Sequence, residues 1–326
     1  MRRALIVSAL ALIACIGTSA TGLADPKGKK VALLATGATH PFIAGATKSF
    51  LEKAGSAGIE VTTFNTPFDA ALQSQQVDDA IARKFDLIAI IPAAEQAIVP
   101  ALTRAKQAKV PVIIINSPPK EGTEDLYISF VGEDHVELGR IAARGVIEAL
   151  KAGDRDTAKV ALITGSLAEG VGPRRVAGFR EVLKDHPKIE IVATEDAKWD
   201  TATSERVAGQ LFARFAPRGG LDVVWGMADN QAVAAIRAAE AANIPLGTEK
   251  GKLIVLGSNC LKQGIEMIKA GKQFSTGIQI PSRTGSRAAE VAIDYFNGKP
   301  LPKQNLLPVE LVTKANVAKW EQPCSY

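Results

Sequence analysis

Three cysteines in 326 residues are too few to frame a fold. Cys15 lies in an N-terminal segment expected to be removed, which leaves Cys260 and Cys324. A disulfide-dense scaffold is excluded. An oxidising compartment would allow the remaining pair to join, and the sequence leaves that pairing open. Histidine is as scarce: His40, His135 and His186 are scattered without metal-ligand spacing. No Walker loop and no Gly-x-Ser-x-Gly elbow occurs. Gly37 stands alone where a dinucleotide cradle needs further glycines, and His40-Pro41 follows it. Tyr295 and Lys299 have the spacing of a short-chain dehydrogenase pair, but Asn297-Gly298 breaks the helix that would align them. Nothing points to an enzyme, a metal or a cofactor.

A charge excess is missing too. The 39 basic and 34 acidic residues give +5, and without Arg2 and Arg3 the balance is +3. The charges form no basic block, so nucleic acid is not an expected partner. Nor is any apolar run long enough to span a bilayer, which takes roughly 20 residues. The longest, Ala4–Ile16, follows Arg2-Arg3 and precedes the small residues Gly22 and Ala24. It reads as a secretory signal over residues 1–24, cleaved before Asp25, and places the protein in the periplasm. Leu12-Ile13-Ala14-Cys15 also resembles a lipobox, but cleavage there would leave a very short signal.

What is present is alternation. Apolar strands are expected at Val31–Ala35, Ile59–Phe64, Leu87–Ile91, Val112–Ile115 and Tyr127–Val131. Helical patterns lie between them at Ile43–Ala57, Asp69–Lys84 and Glu95–Ala108. After a helix over His135–Lys151 a second series begins. Its strands are Val160–Thr164, Ile189–Thr194, Leu221–Trp225, Leu253–Leu256 and Phe274–Gln279. A last helix, Ser282–Phe296, stops at Asn297-Gly298-Lys299-Pro300, and one more strand is expected over Leu306–Val312. Continuous apolar strands such as Val112–Ile115 fit parallel sheets covered on both faces. The fold class is therefore α/β, with two doubly wound parallel-sheet lobes.

Ligands of open α/β sheets bind outside the carboxyl ends of the strands. Thr39, His40 and Phe42 follow the first strand, and Asn116 and Ser117 follow the fourth. Ser166 and Glu169, Trp199 and Asp200, Asp229 and Asn230, and Asn259 follow strands of the second series, and Gln279 ends the last. Any one of these suits a helix cap or a solvated loop; His135 and His186, near helix ends, are expected in solvent. Together they describe a polar cleft between two lobes.

At these positions the chain resembles periplasmic binding proteins of the ribose-binding type, over nearly all of its mature length. The matching segments are Thr39-His40-Pro41-Phe42, Val112–Asn116, Arg175-Val176-Ala177-Gly178-Phe179, Ala197-Lys198-Trp199-Asp200, Ile254–Asn259, Gly277–Pro281 and Asn297–Pro300. The resemblance implies a receptor of an ABC importer for a small polar ligand, a sugar, polyol or sugar acid, or a sensory receptor presenting to a chemoreceptor or sensor kinase. It implies three short crossings near Val131-Gly132, Gln279-Ile280 and Pro308-Val309, and closure about a hinge. The lobes would be 25–131 with 280–308, and 132–279 with 309–326. Phe42 and Trp199 would be plates from opposite lobes, Arg175 a forked donor, and Gln279 a contributor from the last crossing. Asn116-Ser117 stands where the family has Asp-Arg, Asn259 where it has Asp, Ala228 where it has Asn, and His40 where it has Asn. With acids exchanged for amides, Arg175 would need the ligand or a nearby acid such as Asp200 or Asp229 as its counter-charge. Arg174 is expected to be solvent-facing or only peripheral. The expected ligand-contacting set is Thr39, His40, Phe42, Asn116, Ser117, Arg175, Trp199, Asp229, Asn259 and Gln279.

Overall fold

A computed structural model describes residues 25–325. The signal segment and Cys15 lie outside the described residues. The chain opens with β1 (Lys30–Thr36), α1 (Pro41–Ser56), β2 (Glu60–Thr66), α2 (Ala70–Ala82), β3 (Leu87–Ile90), α3 (Val99–Gln107), β4 (Val112–Ile115) and β5 (Ser129–Glu133). It continues through α4 (His135–Ala152), β6 (Ala158–Thr164), α5 (Gly172–Leu183), β7 (Ile189–Asp196), α6 (Thr201–Phe215) and β8 (Val223–Gly226). The last elements are α7 (Asp229–Ala241), β9 (Ile254–Ser258), α8 (Lys262–Lys269), β10 (Ser275–Gly277), α9 (Pro281–Phe296), β11 (Gln304–Leu307) and β12 (Leu311–Thr313).

Two six-stranded sheets result, ordered β11-β5-β4-β3-β1-β2 and β12-β10-β9-β8-β6-β7. Every pair is parallel except β10 with β12. Both faces of each sheet are covered, and alternate side chains go to opposite cores. Val31, Leu33 and Ala35 pack toward α1 and α9, whereas Ala32 and Leu34 meet the core under α2 and α3. Val160 and Leu162 divide from Ala161 and Ile163 in the same way.

The chain passes between the sheets three times: from β5 into α4, from β10 into α9, and from β11 into β12. The tail therefore differs from the single strand expected over Leu306–Val312. Pro308 cannot donate to a ladder, and the segment divides into one strand for each sheet. Helix α3 also starts four residues later than expected, because Glu95 is engaged elsewhere. Cys260 and Cys324 are joined, with Cα atoms 5.3 Å apart, and both are fully buried among Ile268, Ile278 and Val312. A link across 64 positions restrains the unfolded chain by about 4 kcal/mol in the loop-entropy view.

Candidate functional site

The loop from β1 to α1 ends in His40, which caps the helix. Its Nδ1 accepts the Phe42 N–H at 3.2 Å, so the neutral ring carries its hydrogen on Nε2. That nitrogen has no partner although the residue is buried. Burial holds the imidazole down at about 4, despite the nearby Asn230 amide, and the Arg175 charge adds to the effect. The ring meets Trp199 edge-on at 5.9 Å, joining first lobe to second.

Trp199 follows β7 with Lys198 and itself in left-handed backbone, at φ 50° and 62°. The double turn folds the indole back over Gly165, at the end of β6. A Cβ at Gly165 would lie 1.8 Å from the ring, so no other residue fits there. The indole N–H donates to Glu169 Oε2. Gly37 (φ 64°) admits Phe68 in the same manner, since a Cβ would sit 2.3 Å from that ring. Phe68 in turn packs against the second-lobe core that contains Trp199 and Val171.

Arg175, in the first turns of α5, is 1% exposed. Its Nη1 donates to Met227 O at 2.6 Å and Asn259 Oδ1 at 3.0 Å. Its Nη2 donates to Gln279 Oε1 at 2.6 Å, and its Nε to His135 Nδ1 at 3.4 Å. Four of its five N–H groups are thus engaged. Gln279 passes the connection to the first lobe: its Nε2 donates to Asn116 Oδ1 and to Glu133 Oε2, both at 2.7 Å. Thr284 donates to the other Glu133 oxygen. Burial pushes Glu133 up to about 7 against these donors.

His135 is the first correction. It is not solvated but 2% exposed, with Nε2 2.7 Å from Asn116 O. With Nδ1 accepting from Arg175, Nε2 is the protonated nitrogen. Burial, and then the Arg175 charge, hold its pKa at about 3. For the counter-charge of Arg175, the expectation holds for Asp229, and the second correction concerns Asp200. Buried Glu133, Glu169 and Asp229 surround Arg175, while Asp200 is an N-cap that accepts from Thr203 N–H at 2.7 Å. Arg174 is peripheral to the cavity but does not face solvent. Its side chain is 19% exposed and bonds Glu95 of the first lobe at 3.0 Å.

A narrow cavity lies between the lobes, with about 20 Å³ open to the centre of a water-sized sphere. Of the ten residues expected there, His40, Phe42, Asn116, Arg175, Trp199, Asn259 and Gln279 line it. Three do not. Thr39 is exposed on the outside of its loop. Ser117 is fully buried, its N–H turned back to Ile115 O at 2.6 Å. Asp229 is also fully buried and braces the site from behind. It accepts from Leu261 N–H and Gln273 Nε2 at 2.8 Å and from Thr276 Oγ1 at 3.0 Å. These bonds hold the turn after β9, where Asn259 and Cys260 take φ 86° and 51°. Glu169, Phe68, Ile43 and Val171 complete the lining. Glu169, after β6, is among the strand-end groups, but no family motif selects it; Phe68, after β2, offers no polar group and carries no such signal. The walls offer apolar faces from both lobes and a few fixed polar groups, which is equipment for binding.

The sequence profile described as "Periplasmic binding protein domain" matches residues 31–300. The chain belongs to this family. Its members bind substrates and are not enzymes. The ribose import binding protein RbsB of Salmonella typhimurium is 26% identical over 304 residues, covering 93% of this chain and 97% of its own. A galactofuranose binding protein shares the fold at a TM-score of 0.83 and 18% identity, over 90% of this chain and 97% of that one. A solute binding protein of an ABC transporter from Bacillus halodurans, with bound myo-inositol, gives 0.82 and 24% identity, over 92% and 99%. Among the described residues no helix is long and apolar enough to cross a membrane.

Proposed function

We propose that this protein is an exported receptor that captures a sugar or sugar-like small polar ligand and delivers it to the permease subunits of an ABC importer. The observation that carries the reading is the Gln279 relay. One side chain, on a crossing between the lobes, bonds Arg175 of the second lobe and Asn116 and Glu133 of the first. Such a relay forms only when the lobes are together, so a ligand enclosed beside it is coupled to closure. The similar proteins named above are described with ribose, galactofuranose and myo-inositol, which are small hydroxylated rings. The walls between the lobes, apolar faces with a few fixed polar groups, suit one such ring.

A thermal-shift screen of pentoses, hexoses, furanoses and inositols tests the ligand class. A ligand at 100 times its Kd stabilises the native state by about 2.7 kcal/mol. Deleting the gene should abolish uptake of the ligand so found. Uptake that persists while a chemotactic or kinase response disappears would move the assignment to a sensory receptor.

A further inference from the structure

The charges around the cleft do not balance. Arg175 is the one buried cation of the site, against Glu133, Glu169 and Asp229, each no more than 3% exposed. His40 and His135 are held neutral. With its carboxylates ionised, the enclosed cluster lacks two positive charges. Two of the acids are satisfied within the fold. Glu133 receives Gln279 and Thr284, one on each oxygen. Asp229 receives Leu261, Gln273 and Thr276. Glu169 differs. The Trp199 indole occupies Oε2, no described donor reaches Oε1, and the residue lines the cavity. His40, which meets the same indole edge-on, also lines the cavity; its Nε2–H makes no hydrogen bond, although the Asn230 side chain is near.

We propose that the ligand is a small hydroxylated ring bearing a protonated amine, with the ammonium on Glu169 and a hydroxyl accepting from His40 Nε2. The proposal rests on the reading of this cleft as a site for sugar-like ligands. A buried carboxylate needs a charged partner or a proton. With a neutral ligand Glu169 takes the proton, since burial, with Asp196 adding, raises it to about 8 against the pull of Trp199 and Arg175. An ammonium supplies the charge directly through a charge-assisted hydrogen bond. A ligand carboxylate would deepen the deficit, and Arg175 has only one N–H left for it. An acidic ligand, the alternative suggested by Asn116 and Asn259, is therefore disfavoured by Glu169.

Matched pairs test this: D-glucosamine, D-galactosamine and an aminodeoxy-inositol against D-glucose, D-galactose and myo-inositol. Titration at about pH 7.5 lies near the value of about 8 held by Glu169 and below the usual amine range, and an ammonium ligand displaces the proton that remains on the carboxyl. The expected result is that at least one amine binds about tenfold or more tightly than its parent. In Glu169→Gln that ratio should fall to about threefold or less, and in Glu169→Asp it should be partly retained. Ligand-free melting curves confirm that both variants fold. Neutral parents or sugar acids that bind as well as the amines overturn the amine and leave the sugar-receptor reading standing. An amine preference unchanged in Glu169→Gln overturns the assignment to Glu169. If no member of either set binds, the amine proposal falls together with the sugar-like ligand class.

Discussion

Trp199 does two things at once, and its variants separate them. Its ring is 8% exposed and packed into the second-lobe core. Truncation to Ala should therefore lower stability by about 3–5 kcal/mol as well as affinity. Trp199→Phe keeps an apolar ring but removes the only described donor to Glu169. Leaving that carboxyl without its partner should cost about 1–3 kcal/mol in denaturant unfolding. A Phe variant as stable as the parent would show that Glu169 does not depend on the indole. Arg175 is bound up with the fold in the same way. Arg175→Ala leaves three buried acids without their cation. A loss of about 3–5 kcal/mol of folding free energy is expected, read from chemical unfolding, rather than a change of affinity alone. If the midpoint is unchanged, the acids are already protonated and Arg175 is not their counter-charge.

Among the connecting segments, the loop after β3 and the loop after β6 face each other across the cleft mouth. Glu95 N–H donates to Ala168 O at 3.1 Å, and the Glu95 carboxylate receives Arg174. Gly170 lies so close to Pro118 O that a Cβ would come within 2.2 Å. These contacts join opposite lobes, so parting the lobes would break them. Partly exposed pairs of this kind contribute about 0.5–1 kcal/mol. Arg174→Ala should therefore weaken ligand binding roughly two- to fivefold. High salt should shrink the difference, because the pair is only partly shielded from screening. Equal affinities of variant and parent at low salt would remove Arg174 from the closing contacts.

For the whole molecule, the buried acids and histidines set the pH dependence of stability. The folded state holds Glu133 and Asp229 at about 7 and Glu169 at about 8. Unfolded, such groups titrate near 4. Between these values the native state binds more protons than the unfolded chain, so stability falls as pH rises. His40 and His135 act oppositely. Held at about 4 and 3, they bind fewer protons in the native state, and stability gains from them as pH rises to about 6.5. The two effects oppose each other below that point. From about 6.5 to 8 only the acids remain, and the Tm of the ligand-free protein should fall steadily across this window. A flat or rising Tm there would mean that the acids ionise freely in the fold.

Local pattern sufficed for the alternation, both series of strands and the helix stop at Asn297-Gly298, while the three crossings came from the family resemblance. Strand and helix periods are short-range properties of the chain, and right-handed parallel connections leave few ways to assemble them. The strand-end rule placed Asn116, Asn259 and Gln279 at the cleft for the same reason. Direction and partnership are another matter, because they depend on residues far apart in sequence. Asp229 and Asn259 both follow strands. One turns inward to Leu261, Gln273 and Thr276, and the other meets Arg175 in the cleft. Glu133, 146 positions from Gln279, becomes part of the site only through that side chain. Whether Glu169 stands as a loop acid or as a buried charge beside Trp199 was settled by the left-handed turn at Lys198 and the missing side chain at Gly165. Composition and spacing encode which groups are available. Burial, which decides their charge, arises only when the chain has folded.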